Sequence, residues 1–573
     1  MLATTSERKT KLFHKISIDK GLAIGLIIII LFLLIAILFP LIKILGTAVS
    51  KEAIPYFIHY FTSPVYLGII WNTVKLGLVV GLFGTVLGFL FAYVQVRTNV
   101  PCKRFMHLMA MMPIISPPFA VATAAIELFG RSGLITYELL GIRYNIYGFT
   151  GLTGVLVLSL FTVAYMNFQG MLRALDPSLD EAATNMGATK WDVFRTVTIP
   201  MLIPGIASSF LLLFVEAIAD LANPLVLGGD FTVLATRVYI AIAGEYDIFA
   251  GAVLSFILLV PSLTVFILQR YWVSRKSVIS VTGKPSGRTM YVTNPFVRWG
   301  LFILAMFFSC LILLIYGTIF VGAFTKLFGI NYSFTLEHFK YVILGLGSQA
   351  IVDTSKMALI ATPIAGLLGM LIAWLVVRKQ FSGRGLLDFI AMLGIAVPGT
   401  VLGIGYLLAF NNSVTIGSKV ILPSLAGGTA VAGGMIALIL AYIVRSVPAG
   451  VRSGVSSLQQ IDPSIEEASI SLGANNATTF WKVTLPLIKP AFLTGLVYSF
   501  ARSMTSLSAV IFLSTPEAKV MTSQILNEVD SGRFGNAFAY CDILILIVLA
   551  VIGFLYLVVG KKGGVGQDLG VSS

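Results

Sequence analysis

The chain has 573 residues, of which 57% are hydrophobic and 11% are charged, and its mean hydropathy is +0.94. Because soluble domains carry about 25% charged residues, this composition excludes an ordinary soluble protein and indicates a polytopic membrane protein. The formal net charge of +14 does not indicate a nucleic-acid partner, because the basic residues are distributed according to the membrane segments.

Apolar runs of roughly 20 residues, enough to cross about 30 Å of hydrocarbon as a helix, predict twelve membrane spans. They lie near 22–45, 67–96, 105–128, 150–170, 202–225, 247–270, 298–324, 348–378, 385–409, 428–446, 488–510 and 541–560. The first run is too long for a signal peptide and lacks a small-residue cleavage site, so we interpret it as a retained span. Pro117 and Pro118 in the third run, and Gly394 and Pro398 in the ninth, predict kinks.

The twelve runs form an internal repeat of two sets of six. Asn72-Thr-Val-Lys75 corresponds to Asp353-Thr-Ser-Lys356, and Pro117 to Pro398, at a shift of 281 residues. We predict a segment at 1–20, a first half at 21–270, a basic linker at 271–297, a second half at 298–560 and a tail at 561–573. A parallel repeat of this kind predicts a pseudo-two-fold arrangement with a pathway between the halves.

The distribution of basic residues predicts the orientation of the chain. With the N-terminus inside, the inner segments 1–20, 97–104, 171–200, 270–298, 378–384, 445–489 and the tail hold 26 of the 39 Lys and Arg residues. Because Lys and Arg accumulate in cytoplasmic loops, we expect both termini to be cytoplasmic.

Two stretches that lie largely within these inner segments, 175–204 and 461–490, are copies of one pattern at a shift of 286 residues. In each copy an Asp that can cap a helix precedes a Pro suited to the first turn, and acidic residues follow, which the positive end of a helix favours. Gly187 and Gly473 then predict a turn before a second helix. Each segment is therefore predicted to form a short polar helix, a turn and a second helix, outside the bilayer core.

These copies carry a family resemblance. Glu181-Ala182-Ala183 with Gly187 and Pro200, and Glu467-Ala468-Ser469 with Gly473 and Pro486, resemble the EAA loop of binding-protein-dependent ABC importer permeases. Two copies in one chain are similar to the fused permeases of ferric-iron importers. The resemblance implies an all-α fold of two tandem six-helix repeats of the type I ABC importer, or MetI-like, type in a bacterial cell membrane.

The resemblance also implies partners. In this family the EAA loop is a cytoplasmic coupling helix that docks on an ATPase subunit, so we expect a cytoplasmic ABC ATPase dimer, an extracytoplasmic substrate-binding protein and membrane lipid as partners. The residues that match the coupling loop are Glu181, Ala182, Ala183, Gly187, Glu467, Ala468, Ser469 and Gly473. Ser469 departs from the EAA pattern, but it exchanges one small residue for another.

The chain itself has no nucleotide site that the sequence can identify. Gly283-Lys284 is followed by Pro285 and lacks the preceding glycine of a P-loop, so we expect ATP to be bound and hydrolysed by a partner subunit. The three cysteines and four histidines are scattered, and no pattern of a cofactor, metal site or catalytic nucleophile is found. We therefore expect a transport subunit and not an enzyme.

Ionisable residues within spans mark a candidate pathway, because charge in hydrocarbon is unfavourable unless it faces a partner or water. Glu216 and Asp220 lie at i and i+4 in the fifth span, and Arg502 and Ser506 are their counterparts at a shift of 286. We hypothesise that Glu216 and Arg502 approach each other as a gate; the alternative is that each pairs within its own half or reaches the interface. Carboxylates suit Fe(III), whereas Arg502 argues against simple cation coordination.

Other charges are candidates for the outer side. Lys75 and Lys356 are a symmetric pair that could attract an anionic substrate or an acidic binding protein, or could simply extend to the interface. Acidic residues on two outer segments could receive the binding protein, or could be solvated: Asp230, Glu245, Asp247, Glu517, Glu528 and Asp530.

Three functions remain open from the sequence. The first is the permease subunit of an ATP-driven importer for ferric iron, and an importer of the same class for 2-aminoethylphosphonate, thiamine or another small solute is its nearest alternative. An ion-coupled secondary transporter also shows internal repeats and buried charge, but it has no reason to keep duplicated coupling helices. A membrane scaffold without transport is disfavoured by the paired charges inside spans.

Overall fold

The computed structural model describes residues 20–273, 291–345, 347–416 and 419–560. Most of the predicted 1–20 segment, most of the 271–297 linker, including Gly283-Lys284, and the 561–573 tail lie outside the described residues. Within the described part the chain is almost entirely helical, which confirms the predicted all-α fold.

The helices of the first half follow the predicted spans, with shorter helices between them. In chain order they are α1 (Ala23–Ala48), α2 (Ile54–Thr62), α3 (Pro64–Arg97), α4 (Lys103–Ile115), α5 (Ala120–Phe129), α6 (Phe149–Ala174), α7 (Pro177–Asn185), α8 (Lys190–Ala219), α9 (Ala222–Leu227), α10 (Leu234–Gly244) and α11 (Ile248–Tyr271). Short π-helical turns lie within several of them, as at Phe194–Thr198 in α8.

The second half repeats this order and adds two small β-hairpins. Its elements are α12 (Pro295–Ala323), β1 (Thr325–Leu327), β2 (Asn331–Phe334), α13 (Glu337–Leu344), α14 (Ser348–Arg378), α15 (Arg384–Ala396), α16 (Gly399–Phe410), β3 (Val414–Ile416), β4 (Lys419–Leu422), α17 (Val431–Gln459), α18 (Ser464–Ser471), α19 (Asn476–Leu487), α20 (Lys489–Thr505), α21 (Met521–Asp530) and α22 (Phe534–Gly560). Both hairpins are antiparallel, with Thr325 opposite Phe334 and Ile416 opposite Lys419.

The number of spans agrees with the prediction. Among the described residues nine helices are long and apolar enough to cross a membrane, and up to twelve crossings result if each bent pair counts as one. The predicted kinks are sharp breaks: α4 and α5 meet at 113° and α15 and α16 at 107°. A third break, of 80° between α19 and α20, was not predicted.

Each half is held together by a bundle of three long helices: α3, α6 and α8 in the first half, and α14, α17 and α20 in the second. Small residues allow the backbones to approach closely, as in membrane helix pairs generally. A Cβ on Gly88 would lie 2.6 Å from the Cβ of Ala164, and one on Gly369 would lie 2.9 Å from the Cα of Gly450. The pathway helices are therefore positioned by direct helix contact.

The first helix of each half packs on the broken pair of the other half. Helix α1 lies against α16, where the Tyr406 hydroxyl donates to the carbonyl oxygen of Ala36 at 2.8 Å. Helix α12 lies against α4 and α5, and the hydroxyls of Ser116 and Tyr316 are 2.6 Å apart. This exchange of helices joins the two halves.

Candidate functional site

The two copied segments have the same local structure. The carboxylate of Asp176 accepts from the backbone N–H of Ser178 at 3.0 Å, and that of Asp462 accepts from Ser464 at 2.9 Å. Helices α7 and α18 follow, and each ends before a glycine with a left-handed backbone, at φ +89° for Gly187 and +88° for Gly473. Only glycine adopts this conformation without strain, so the sequence itself determines the helix, the turn and the second helix.

The residues that match the coupling loop are largely on the surface. Glu181, Ala182 and Gly187 are exposed, as are their counterparts Glu467, Ala468 and Gly473. Ala183 is buried, and Ser469 is half-buried with its hydroxyl 3.0 Å from that of Thr479. The small third residue of the pattern therefore packs inward, whereas the glutamate two positions earlier is exposed.

Exposed apolar side chains flank these glutamates in sequence at equivalent positions of the two copies. Met186 is 84% exposed and Leu472 is 90% exposed, each directly before the turn glycine. Leu179 and Ile465, seven residues earlier on the same two helices, are each 42% exposed. An exposed apolar patch at a short, rigid helix is typical of a surface that another protein covers.

A buried carboxylate lies one residue before each exposed glutamate. Asp180 forms an ion pair of 2.5 Å with Arg97, the last residue of α3, and both side chains are 6% exposed. Glu466 forms an ion pair of 3.3 Å with Arg378, the last residue of α14, with side chains 7% and 9% exposed. We call Arg97–Asp180 the first anchor and Arg378–Glu466 the second anchor.

Further contacts surround the second anchor. The indole N–H of Trp374 donates to Glu466 at 3.1 Å, and the hydroxyl of Thr484 donates to it at 3.0 Å. The ring of Phe480 packs on Trp374 with centroids 5.2 Å apart. Arg378 also donates to the carbonyl of Ile461 at 2.7 Å. The carboxylate is thus held by three side chains.

The first anchor has counterparts of the two aromatic residues that lie at the second anchor. Tyr93 takes the position of Trp374 at the shift of 281, and Phe194 takes that of Phe480 at the shift of 286. Their ring centroids are 5.6 Å apart. Both copies therefore fix the short helix to the end of a long bundle helix with a buried ion pair beside an aromatic contact.

The two anchors were not predicted from the sequence. The predicted coupling residues included the exposed Glu181 and Glu467 but not the acidic residue before each of them. A signal was present, because Asp180 and Glu466 match at the shift of 286 and their arginine partners match at 281.

The predicted pathway residues meet between the halves. The guanidinium of Arg502 on α20 lies 3.4 Å from the carboxylate of Glu216 on α8, and each side chain is 28% exposed. Each residue lies three positions before the end of its helix, at Ala219 and Thr505. Equivalent helix ends of the two halves therefore face each other through an ion pair.

Asp220 directly follows the last residue of α8, Ala219, and interacts electrostatically with both Glu216 and Arg502. Its backbone is extended at ψ 129°. Its carboxylate accepts from the backbone N–H of Asn223 at 3.0 Å and from its amide at 2.9 Å. Ser506 has the same extended backbone, and its carbonyl accepts from Thr522 at 2.7 Å.

Two further arginines lie on a helix that is longer than predicted. The predicted tenth span ended at 446, and Arg445 and Arg452 were counted within the inner segment 445–489, whereas α17 continues to Gln459. Arg445 is 9% exposed and donates to the carbonyl of Val397 at 3.2 Å. Both arginines therefore belong to a bundle helix.

Lys75 and Lys356 are not part of the group of charges around Glu216 and Arg502. Both are exposed, and the ammonium of Lys75 lies 4.1 Å from the ring centre of Phe149, a cation–π contact. The threonines of the same repeated motif have a structural role instead. The hydroxyl of Thr73 accepts from the N–H of Leu234, and that of Thr354 accepts from Met521, each at 2.8 Å, so they hold α10 and α21 against α3 and α14.

Several of the predicted outer acidic residues are already engaged. Glu528 is fully buried and accepts from Arg533 at 2.6 Å and from Asn536 at 3.0 Å. Glu245 pairs with Arg237 at 2.7 Å, and Asp247 caps α11 through the N–H of Ala250. Glu528 is therefore not accessible to a binding protein, whereas Glu245 is paired but still exposed.

Asp230 remains exposed, at an open cavity of about 590 Å³ that Glu127 and Arg131 also line. Within the described residues, no group of three or more His, Cys, Asp or Glu side chains could hold a metal ion.

Comparison with known proteins gives the family. Residues 84–278 and 365–561 each match the family described as the binding-protein-dependent transport system inner membrane component. The chain is 34% identical over 98% of its length to the ferric transport system permease protein FbpB of Actinobacillus pleuropneumoniae, of which 82% is covered. A Haemophilus influenzae protein with a ferric transport permease name, FbpB 1, is 34% identical over 91% of this chain and 82% of its own length.

A more distant similarity covers one part of the chain. A Prototheca wickerhamii protein with a sulfate transport permease name, cysT, is 29% identical over 35% of this chain and 78% of its own length. The double match and the nearly full-length similarities establish that this chain is a fused, two-domain member of the binding-protein-dependent transport system inner membrane component family, the membrane-embedded transport subunits of ABC importers.

Proposed function

We propose that the chain is the permease subunit of an ATP-driven importer that carries ferric iron delivered by an extracytoplasmic binding protein. The observation that supports the coupling mechanism is the duplicated short helix with an exposed glutamate, an exposed apolar neighbour and a buried anchor. Iron is supported by the similarity over 98% of the chain to a ferric transport permease. The halves are 21–270 and 298–560, joined by the 271–297 linker.

In this mechanism ATP is bound and hydrolysed by a cytoplasmic ATPase dimer, and α7 and α18 face that dimer. Both termini are then cytoplasmic, in agreement with the distribution of basic residues. When ATP draws the two ATPase subunits together, each short helix moves as a rigid body, and its anchor transmits the movement to α3 or α14. Glu181 and Glu467, with the apolar residues beside them, contact the ATPase.

The Glu216–Arg502 pair acts as the gate between the halves. It joins α8 to α20 at equivalent helix ends, so separation of the bundles must break it. Because the two side chains are each 28% exposed, the pair is only partly buried, and its opening is accessible to a transport cycle. A buried pair without access to water would resist opening far more strongly.

The experiment is uptake of radioactive ferric iron by cells that lack the chromosomal copy and carry the gene on a plasmid, together with its cognate ATPase and binding protein. Wild type is expected to restore uptake, and a double Glu181→Ala, Glu467→Ala variant is expected to lose most of it. Asp192→Ala, which removes an exposed helix cap near α7, is the matched control and keeps uptake.

Two results would overturn the proposal. Uptake that persists when the ATPase is inactivated would favour an ion-coupled carrier. Uptake of 2-aminoethylphosphonate or thiamine without iron would keep the ABC mechanism but change the substrate.

A further inference from the structure

Three arginines of the second half lie along the pathway. Arg445 and Arg452 are seven residues apart on α17, which is about two helical turns, so they share one helical face. Electrostatic interactions connect Arg445 to Arg502 and to Glu216 of the first half. Arg452 interacts in the same way with Arg270 of the first half. The face that carries these arginines is therefore directed at the opposite half.

The acidic groups near this face do not balance its charge. Glu216 is already paired with Arg502, and the carboxylate of Asp220 is engaged by the backbone and amide of Asn223. Asp388, which lies near Arg452, forms an ion pair with Arg270. Four arginines (Arg270, Arg445, Arg452 and Arg502) therefore face three carboxylates (Glu216, Asp220 and Asp388), which leaves an excess of one positive charge.

Arg445 is the arginine of this face that most clearly indicates a binding site. It is nine-tenths buried, its one hydrogen bond within the described residues goes to the carbonyl of Val397, and its Nε has no partner there. A buried guanidinium without a hydrogen-bonded carboxylate is unfavourable, and a bound oxyanion would supply the missing acceptors in the bidentate geometry that arginine prefers.

These arginines are not a structural device of the repeat. At the shift of 286, the first half has Ser159 and Met166 in place of Arg445 and Arg452, and Glu216 in place of Arg502. The anchors, by contrast, are present in both halves. A feature kept in both copies serves the shared architecture, whereas cations supplied by one half alone suit a ligand that contacts only that wall.

We propose that the pathway contains an oxyanion site built from Arg445 and Arg502, with Arg452 on the route to it, and that the substrate passes as an anion. In the closed gate Glu216 pairs with Arg502. When the gate opens, an oxyanion of the substrate takes the place of the Glu216 carboxylate beside Arg502. The inference rests on the proposed import function: ferric iron would cross as an anionic complex with oxygen-donor ligands, which hard Fe(III) prefers, and not as an aquated cation.

The test is calorimetric titration of the full chain in nanodiscs of zwitterionic lipid, which exclude anionic headgroups. The probes are inorganic phosphate, citrate, ferric citrate and La³⁺ as a hard trivalent cation. Wild type is expected to bind the anions but not La³⁺, and Arg445→Gln is expected to weaken anion binding at least about tenfold, because a charge-assisted contact is lost. Lys489→Gln, which removes an exposed charge from the start of α20, is the matched control and leaves binding unchanged.

A second variant makes the test independent of the folding of Arg445→Gln. Glu216→Gln frees Arg502, so anion binding should become tighter than in wild type, whereas unchanged or weaker binding contradicts the site. Tighter binding of ferric citrate than of free citrate would identify a metal complex as the ligand, and equal binding would identify the free oxyanion. La³⁺ binding, or anion binding that is the same in Arg445→Gln and Lys489→Gln, overturns the inference.

Failure of this inference can be distinguished from failure of the proposed function. If wild type and Arg445→Gln import iron equally well, the oxyanion site is wrong and the iron importer stands. If the binding pattern is found but no iron enters cells, the substrate is another oxyanion and the iron proposal fails.

Discussion

Loss of either anchor carboxylate is expected to release its short helix from the bundle. Asp180→Ala leaves the guanidinium of Arg97 buried without a partner, and breaking a buried ion pair in this way destabilises by roughly 3–5 kcal/mol. Since about 1.4 kcal/mol corresponds to a factor of ten, local opening of α7 should become roughly 10² to 4 × 10³ times more frequent. Glu466→Ala should have the larger effect on α18, because the hydrogen bonds from Trp374 and Thr484 are also lost, at about 1 kcal/mol each.

The assay is hydrogen exchange of the full-length permease, measured by mass spectrometry on peptides that cover 177–185 and 464–471. Each variant should accelerate exchange in its own helix and leave the other helix unchanged, because the two lie in different halves. Exchanging the partners, Arg97→Asp with Asp180→Arg, should restore much of the protection. Asp192→Ala, which removes an exposed cap worth about 1 kcal/mol, is the control and should affect only the start of α8.

The same variants separate stability from coupling. In the assembled importer, Asp180→Ala and Glu466→Ala should hydrolyse ATP but transport little substrate, because the moving helix no longer pulls α3 or α14. Exchange at wild-type rates in both helices would refute the reasoning, and so would normal transport with accelerated exchange.

The remaining predictions concern the gate, the docking surface and acid stability. Glu216→Arg should abolish uptake, and the reversed pair with Arg502→Glu should restore part of it; a double variant no better than the single one contradicts the pairing. Met186→Asp with Leu472→Asp should reduce copurification of the ATPase at least about tenfold without changing the thermal unfolding of the permease, since both side chains are exposed. Burial raises the pKa of Glu528, but the hydrogen bonds from its neighbours outweigh burial and hold the pKa below its ordinary value. Stability from this group is therefore present above the unfolded pKa of about 4.3 and is lost as pH falls through the folded pKa, so Glu528→Gln should flatten the acid side of a plot of unfolding temperature against pH.

The local structure of the copied segments could be predicted because its signals are local. The Asp before a Pro, the acidic first turn and the glycine lie within about a dozen residues, and each has one physical reason to be there. The repetition at one shift then identified both copies together. The same local reasoning located the breaks at Pro117 and Pro398, although not their size.

The anchors could not be found in that way, because their partners are far apart in sequence. Arg97 and Asp180 are separated by 83 residues. In addition, a charged residue at the end of a span is equally consistent with a position at the membrane interface. Only the two shifts taken together would have joined them. The repeated threonines Thr73 and Thr354 show the same limit, since the sequence revealed the match but not the backbone N–H groups that they accept.

Helix ends in the pathway were the least predictable feature. The prediction ended the tenth span at 446 because the polar residues that follow lower the hydropathy, whereas α17 continues to Gln459 and carries the exposed Arg452. At the other extreme, α8 ends before Asp220 because that carboxylate caps the next helix. The sequence therefore predicted the approach of Glu216 and Arg502 but not the helix ends around them.

Site-specific photo-cross-linking in cells tests the central claim most directly. A photoreactive amino acid replaces Met186, Leu472 or, as the control on the opposite face, Tyr246, which is 84% exposed. Coupling through α7 and α18 predicts adducts with the ATPase subunit from the first two positions and none from the third. Adducts from Tyr246 alone, or none from Met186 and Leu472, would contradict it.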